Sequence, residues 1–329
     1  MKGSVVEAAG GRRFGQAWRL RLELVRFSHT LFAMPFALLA GWWASWQPWP
    51  DGARLPSAPA LLAALPGGWL TARWLGIAVC LVAARTFAMA VNRLADAGFD
   101  AANPRTAGRH LPAGLLSPTE VLRLVWQSAV AVLLASWLFW PNWLPLVVAP
   151  LLLAFLAGYS YAKRFTWLVH FWLGASLMLA PICAWLALRG EAVWWSAADL
   201  FPAFWLGLAV LFWVAGFDII YACQDTEFDR SVGLKSIPAR FGNERALKLA
   251  AGLHAVMLIV LAALPWLAPE LRLGWLFGGA VGLVAVLLVI EHRVVSPDDL
   301  GRVNLAFFHL NSWVGLILLV AGSLDAWWG

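Results

Sequence analysis

Residues 69–100 read WLTARWLGIAVCLVAARTFAMAVNRLADAGFD: a long apolar run over 69–93 leads into two aspartates four positions apart, Asp96 and Asp100. The run is longer than the ~20 residues that carry a helix across ~30 Å of hydrocarbon. The same arrangement recurs at Asp225-x-x-x-Asp229, after the apolar run 201–223. Carboxylates four apart share one helix face and repel each other. A cation between them removes the repulsion, and hard oxygens favour Mg²⁺, which keeps several waters and also binds phosphate. Two such pairs at the mouth of one membrane cavity are suited to hold a diphosphate through metal ions.

Working outward, composition fixes the class. Of 329 residues 62% are hydrophobic and 13% charged, and mean hydropathy is +0.74. Apolar runs fall near 24–47, 69–93, 117–139, 142–162, 167–189, 201–223, 245–267, 272–292 and 304–327. The expected fold is therefore all-α, an integral membrane bundle of about nine transmembrane helices around one central cavity. The split between the third and fourth runs rests on Pro141, Asn142 and Pro145. A single transmembrane domain over 24–329 follows a basic, cytoplasmic segment, 1–23, that lacks the pattern of a cleavable signal. Asp96 to Asp225 and Asp100 to Asp229 are equal steps, which points to two pseudo-repeated halves.

Lys and Arg crowd cytoplasmic loops. With the N-terminus inside, Arg105, Arg109, Lys163, Arg164, Lys235 and Arg240 are among the many inner cations, and only Arg54, Arg73, Arg189 and Arg272 lie outside. Both acidic pairs then face the cytoplasm, and the C-terminus lies outside. This topology explains the pI near 9.7, so nucleic acid is not expected as a partner. Cys80, Cys183 and Cys223 are scattered and fit neither a disulfide framework nor a zinc site. Trp42, Trp43, Trp46, Trp49, Trp194, Trp195, Trp327 and Trp328 stand near outer helix ends, as an aromatic belt requires. The Pro- and Gly-rich segment from Asp51 to Leu70 is an outer loop without evident chemistry.

Each acidic motif is followed by a basic, turn-rich loop. In the first, Asn103-Pro104 stops the helix and Ser117-Pro118-Thr119-Glu120 has the form of a capping box. In the second, Gly233, Lys235, Ser236 and Pro238 precede a helix starting near Asn243. Arg85, Asn92, Asp96 and Asp100 lie close to one helix stripe. A guanidinium as deep as Arg85 must face the bundle interior or a polar cavity; it either serves the site or pairs with a structural carboxylate such as Asp218. Asp218, Tyr221 and Asp225 follow a near-helical stride. Two matched acidic pairs, each backed by a deeper polar residue, Asn92 or Asp218, are not explained by helix ends meeting water. Lys163 and Arg164 read alone as a topological anchor; beside four carboxylates, Lys163 is placed to balance a departing phosphate. His29 and His170 sit near inner helix ends and receive no role.

These residues resemble the UbiA superfamily of intramembrane aromatic prenyltransferases. The resemblance is carried by 92–100 (NRLADAGFD), 103–106 (NPRT) and 109–114 (RHLPAG), by 159–166 (YSYAKRFT), and by 216–229 (GFDIIYACQDTEFD) with 233–238 (GLKSIP). The stretch 27–36 (FSHTLFAMPF) and the Asn-Arg form of the first motif look most like the 4-hydroxybenzoate polyprenyltransferase branch, which includes enzymes of the futalosine route to menaquinone. Arg93 departs from the aspartate many members carry there, and Phe228 from an aspartate found in some.

The resemblance implies a polyprenyl diphosphate held through Mg²⁺ by Asn92, Asp96, Asp100, Asp225 and Asp229, with Lys163, Arg105 and Arg109 on phosphate. An allylic cation then develops and an electron-rich ring carbon attacks it. It further implies that Arg85 grips the carboxylate of an aromatic acid acceptor, while Asp218 and Tyr221 orient its hydroxyl. The expected activity is Mg²⁺-dependent prenylation of a 4-hydroxybenzoate-like acid in ubiquinone or menaquinone biosynthesis, at the cytoplasmic face of a bacterial inner membrane. A 1,4-dihydroxynaphthoate-type acceptor is the alternative. A secondary transporter is the rival from another class, but carriers place their site near the midplane rather than at one surface.

Overall fold

Proline and side-chain caps set several helix starts in the computed structural model, which describes residues 14–24, 32–50, 68–297, 299–303 and 310–328. Ser117 Oγ accepts from the Glu120 N–H at 3.3 Å while Glu120 accepts from the Ser117 N–H at 2.8 Å, with Pro118 in the first turn. This is the capping box expected from the sequence. Pro35, Pro202 and Pro238 likewise stand in first turns, where a missing N–H costs nothing.

The helices are α1 (Phe14–Leu24), α2 (Met34–Trp46), α3 (Gly68–Ala102), α4 (Pro118–Ser136), α5 (Leu144–Tyr159) and α6 (Val169–Trp195). They continue as α7 (Phe201–Ala222), α8 (Thr226–Ser231), α9 (Ile237–Phe241), α10 (Asn243–Leu267), α11 (Trp275–Val294) and α12 (Asn311–Trp328). Among the described residues no strand occurs. Among these residues six spans are long and apolar enough to cross a membrane: Leu70–Ala102, Pro118–Phe139, Val169–Trp195, Ala197–Ser231, Asn243–Leu267 and Trp275–Val294. The expected runs 24–47, 142–162 and 304–327 carry α2, α5 and α12, of 13, 16 and 18 residues. Arg12, Arg13, Arg26, His29, Arg54 and most of the outer loop lie outside the described residues.

The separation of α4 from α5 falls at Trp140–Trp143, as the prolines indicated. By contrast α3 runs past its apolar stretch. Its 35 residues rise about 52 Å, more than the ~30 Å hydrocarbon, so its final turns carry Asp96 and Asp100 beyond the apolar crossing.

Helix α2 packs on α6 and α12, α6 on α7, α7 on α10, and α11 joins α10 to α12. Helices α3, α4 and α5 form a second group that meets α6 through α5 and α3. Phe36, Trp43, Trp185, Trp213 and Phe277 fill the larger core. Gly174 lets α6 and α7 approach closely, since a Cβ there would stand 2.4 Å from the Leu211 carbonyl oxygen.

Two of the outer cations are internal locks. Arg73 and Arg189 are each 2% exposed. Arg73 donates to the Leu188 carbonyl and to Glu191. Arg189 pairs with Asp199 and donates to the carbonyls of Gln47 and Pro48. Trp46, Trp194, Trp195, Trp327 and Trp328 are exposed as belt residues should be, whereas Trp43 is fully buried and donates to the Gly322 carbonyl at 3.0 Å. All three cysteines are free.

Candidate active site

Helix α3 sets out the first half of the site along one stripe. Arg85 lies seven residues before Asn92, about 10 Å deeper along the axis. Asn92 donates to Asp96 at 2.8 Å, and Asp96 and Asp100 interact electrostatically across one turn. The helix stops at Asn103-Pro104, and the chain then folds back so that Arg109 meets Asp100 at 2.7 Å. Asp100 Oδ2 remains buried without a hydrogen-bond partner.

The second half departs from a continuous helical stride. Helix α7 ends at Ala222, Cys223–Asp225 tighten into a 3₁₀ turn, and α8 restarts at Thr226. The tighter turn presents Asp225 to the first loop, where Asn103 donates to it at 3.0 Å and Arg105 grips it through both Nε and Nη2. Arg105 also donates to the Tyr221 hydroxyl at 3.0 Å. Burial works against the Arg105 charge, but the hydrogen bonds and charge of Asp225, with Tyr221, outweigh it and raise the guanidinium above its ordinary value. Asp229, 1% exposed, receives Lys163 at 3.1 Å. Lys163 also lies within electrostatic reach of Asp96 and Asp225. The two acidic motifs thus face one basic cluster.

Below this rim a cavity of about 330 Å³ opens between α3, α5, α6 and α7. Arg85, Asn92, Arg93, Arg109, Asp218 and Tyr221 line its polar end; Ile77, Cys80, Phe139, Leu152 and Cys183 line the apolar remainder. Asn92 to Ile77 is about 22 Å along α3. Of the expected site residues, Arg85, Asn92, Arg109, Asp218 and Tyr221 line the cavity; Asp96, Asp100, Asp225, Asp229, Lys163 and Arg105 form the ion-paired rim above it.

Arg85 does not pair with Asp218. Asp218 is hydrogen-bonded to His170 at 2.7 Å, and Arg85 has a buried Nε without a partner and, among the described residues, no carboxylate. His170 and Asn103 were missed as site residues. Asn103 signalled only a helix stop, and the aspartate it donates to, Asp225, is 122 positions away.

The carboxylates suit a hard divalent ion, since they are oxygen donors and one buried oxygen is unsatisfied. Among the described residues no three His, Cys, Asp or Glu side chains converge on one point. Such sparse protein ligation is compatible with Mg²⁺, which proteins usually hold through one or two carboxylates.

Residues 53–313 match the model of the UbiA prenyltransferase family. The 4-hydroxybenzoate octaprenyltransferase of Xanthomonas oryzae pv. oryzae is 31% identical over 313 residues, 94% of this chain and 92% of that protein. The protein of that name from Hydrogenovibrio crunogenus is 28% identical over 285 residues, 86% of this chain and 90% of that protein. Among solved structures, the apo UbiA homolog from Aeropyrum pernix K1 superimposes with a TM-score of 0.73 at 30% identity, covering 90% of this chain and 97% of the other. A UbiA homolog from Archaeoglobus fulgidus bound to GPP and Mg²⁺ shares the fold at 19% identity, TM-score 0.65, over 93% and 99% of the two chains. Matched over most of its length in sequence and fold, this membrane-spanning chain belongs to the UbiA prenyltransferase family and is a polyprenyltransferase.

Proposed function

We propose that the protein transfers a polyprenyl group from its diphosphate to a carboxylated hydroxyaromatic acceptor of the 4-hydroxybenzoate type, with Mg²⁺, in quinone biosynthesis. The observation that carries this reading is Arg85, a buried cavity guanidinium with no carboxylate partner among the described residues. A charge so placed is costly unless an anion from outside completes it. The relatives named for hydroxybenzoate and the homolog solved with GPP and Mg²⁺ agree with it.

Three of the four rim carboxylates hold one cation each: Asp225 with Arg105, Asp100 with Arg109, and Asp229 with Lys163. The chemistry a divalent ion would supply here is neutralisation of charge on the leaving diphosphate. Asp96, Asp100, Asp225 and Asp229, with Asn92, are the residues that would hold the ion. Arg105, Arg109 and Lys163, released from the carboxylates, turn to the phosphates and stabilise the departing diphosphate. The apolar wall from Ile77 to Leu152 keeps water from the allylic cation. Arg85 binds the acceptor carboxylate, and Asp218 and Tyr221 face its hydroxyl.

The same reading places nine crossings in two pseudo-repeated halves, with the acidic rim at the cytoplasmic face of a bacterial inner membrane. Transfer of a radiolabelled prenyl group in proteoliposomes tests it. Mg²⁺-dependent labelling of 4-hydroxybenzoate supports the assignment; labelling of 1,4-dihydroxynaphthoate alone moves the acceptor to the alternative class, and labelling of neither refutes both.

A further inference from the structure

His170 is fully buried at the start of α6 and joins two parts of the site that are far apart in sequence. Its Nδ1 lies 2.7 Å from Asp218 Oδ2. Its Nε2 lies 3.3 Å from the backbone N of Ile237. Ile237 is the first residue of α9, where a backbone N–H has no partner within its own helix. An N–H can only donate, so Nε2 is the bare nitrogen and Nδ1 carries the hydrogen. Nδ1–H therefore donates to Asp218, which must accept.

Asp218 keeps 18% of its side chain exposed to the cavity while His170 keeps none. Among the described residues its second oxygen, Oδ1, has no hydrogen-bond partner. Of the charged and titratable groups that face it, His170 from α6 is hydrogen-bonded and Tyr159 from α5 lies within electrostatic reach; Arg85 and Arg93 from α3, Arg109 from the loop after it and Tyr221 from α7 itself line the same cavity. The Ile237 segment is fixed to the rim, because the Lys235 N–H donates to the Lys163 carbonyl at 2.7 Å and the Lys235 ammonium to the Phe165 carbonyl at 3.1 Å.

We propose that His170 is a positioning residue for the acceptor: clamped by the Ile237 N–H and donating through Nδ1, it holds Asp218 as a carboxylate whose free oxygen takes the acceptor's hydroxyl hydrogen. This rests on the reading that the acceptor is a hydroxyaromatic acid. As the C1–O bond to diphosphate breaks and the ring carbon ortho to the hydroxyl bonds to C1, the hydroxyl proton passes to Asp218 and the ring becomes a dienone. The ring hydrogen at the new bond leaves to the departed diphosphate, and Asp218 returns its proton to the phenolate oxygen. Atoms and electrons balance without another reactant. Arg85 fixes one end of the acceptor and Asp218 the other, so that binding and activation rest on separate residues.

The test uses the full-length protein in lipid nanodiscs with 4-hydroxybenzoate and ring-fluorinated derivatives that have progressively more acidic hydroxyls and one open ortho position. His170→Ala is expected to lower kcat for 4-hydroxybenzoate about 10²-fold without changing the KM for prenyl diphosphate. Relative to wild type, the deficit shrinks along the series, because an acidic hydroxyl needs less help. A deficit of the same size for every acceptor, or no deficit, overturns the proposal. If His170→Ala does not fold, His170→Asn is compared with His170→Gln. The Asn amide stands where Nδ1 stood and the Gln amide nearer Nε2. Faster turnover by Asn supports the proposal, and equal or faster turnover by Gln overturns it. If the wild-type enzyme prenylates no carboxylated phenol, the functional reading itself fails, and this is seen before any variant is measured.

Discussion

Replacing Arg85 isolates acceptor binding from every other part of the reaction. Its Nε is buried and unpartnered, and the side chain lines the cavity about two helical turns below Asn92. Hydrogen bonds to a charged group contribute about 1.5–3 kcal/mol. At about 1.4 kcal/mol per tenfold, Arg85→Met should raise the KM for 4-hydroxybenzoate roughly 10- to 150-fold, with the KM for prenyl diphosphate unchanged. KM reports binding only where the acceptor dissociates faster than it reacts, so direct calorimetric titration should accompany the kinetics. The uncharged analogue 4-hydroxybenzamide should be a poor acceptor for wild type and bind the variant about as well as the acid does. Because the guanidinium is desolvated and, among the described residues, has no acidic partner, the substrate-free variant should also be as stable as wild type or more so. Arg85→Met with a raised donor KM and an unchanged acceptor KM would falsify the assignment, and so would a fall of many degrees in Tm, which would mark Arg85 as structural.

Three further outcomes are expected. Asp96→Asn and Asp225→Asn should each lower transfer about 10²-fold or more, and chelation should abolish wild-type activity reversibly on adding Mg²⁺; full activity in either variant contradicts the metal reading. Asp199→Ala strips Arg189 of its buried carboxylate, so thermal unfolding should report a loss of about 3–5 kcal/mol, while the folded fraction keeps its KM values. Gly174→Leu forces side chain against the Leu211 carbonyl; it should separate α6 from α7, lower Tm and lower kcat together, whereas an unchanged Tm would show that the close approach is not needed.

Local signals were legible in particular residues. Ser117 and Glu120 announced the start of α4, Asn103-Pro104 the end of α3, and the residues before Asn243 the start of α10; each is settled within one turn of chain. Asn92 and Asp96, one turn apart, also met as their spacing required. Where the outcome depended on contacts between distant segments, sequence reasoning was less complete. Arg73 and Arg189 looked like the few cations left outside by topology, yet both are buried against carbonyls and acids of other elements. Trp43 stands among the belt tryptophans in sequence and lies in the core. His170 had no role, because a histidine near a helix end looks the same whether or not an aspartate of the next helix is waiting 48 positions on.

A helical membrane protein, the helix ends that bear its carboxylates and the kind of chemistry such carboxylates serve can all be read along the chain. Hydropathy, periodicity and capping act over one or two turns and can be read along a line. It takes the packed helices to send Arg105 to Asp225, to set Lys163 before both motifs, and to leave Arg85 to the cavity while Asp218 turns to His170. Those choices depend on which helices pack side by side, and the energy of a charge pair is set by its distance through space rather than along the chain.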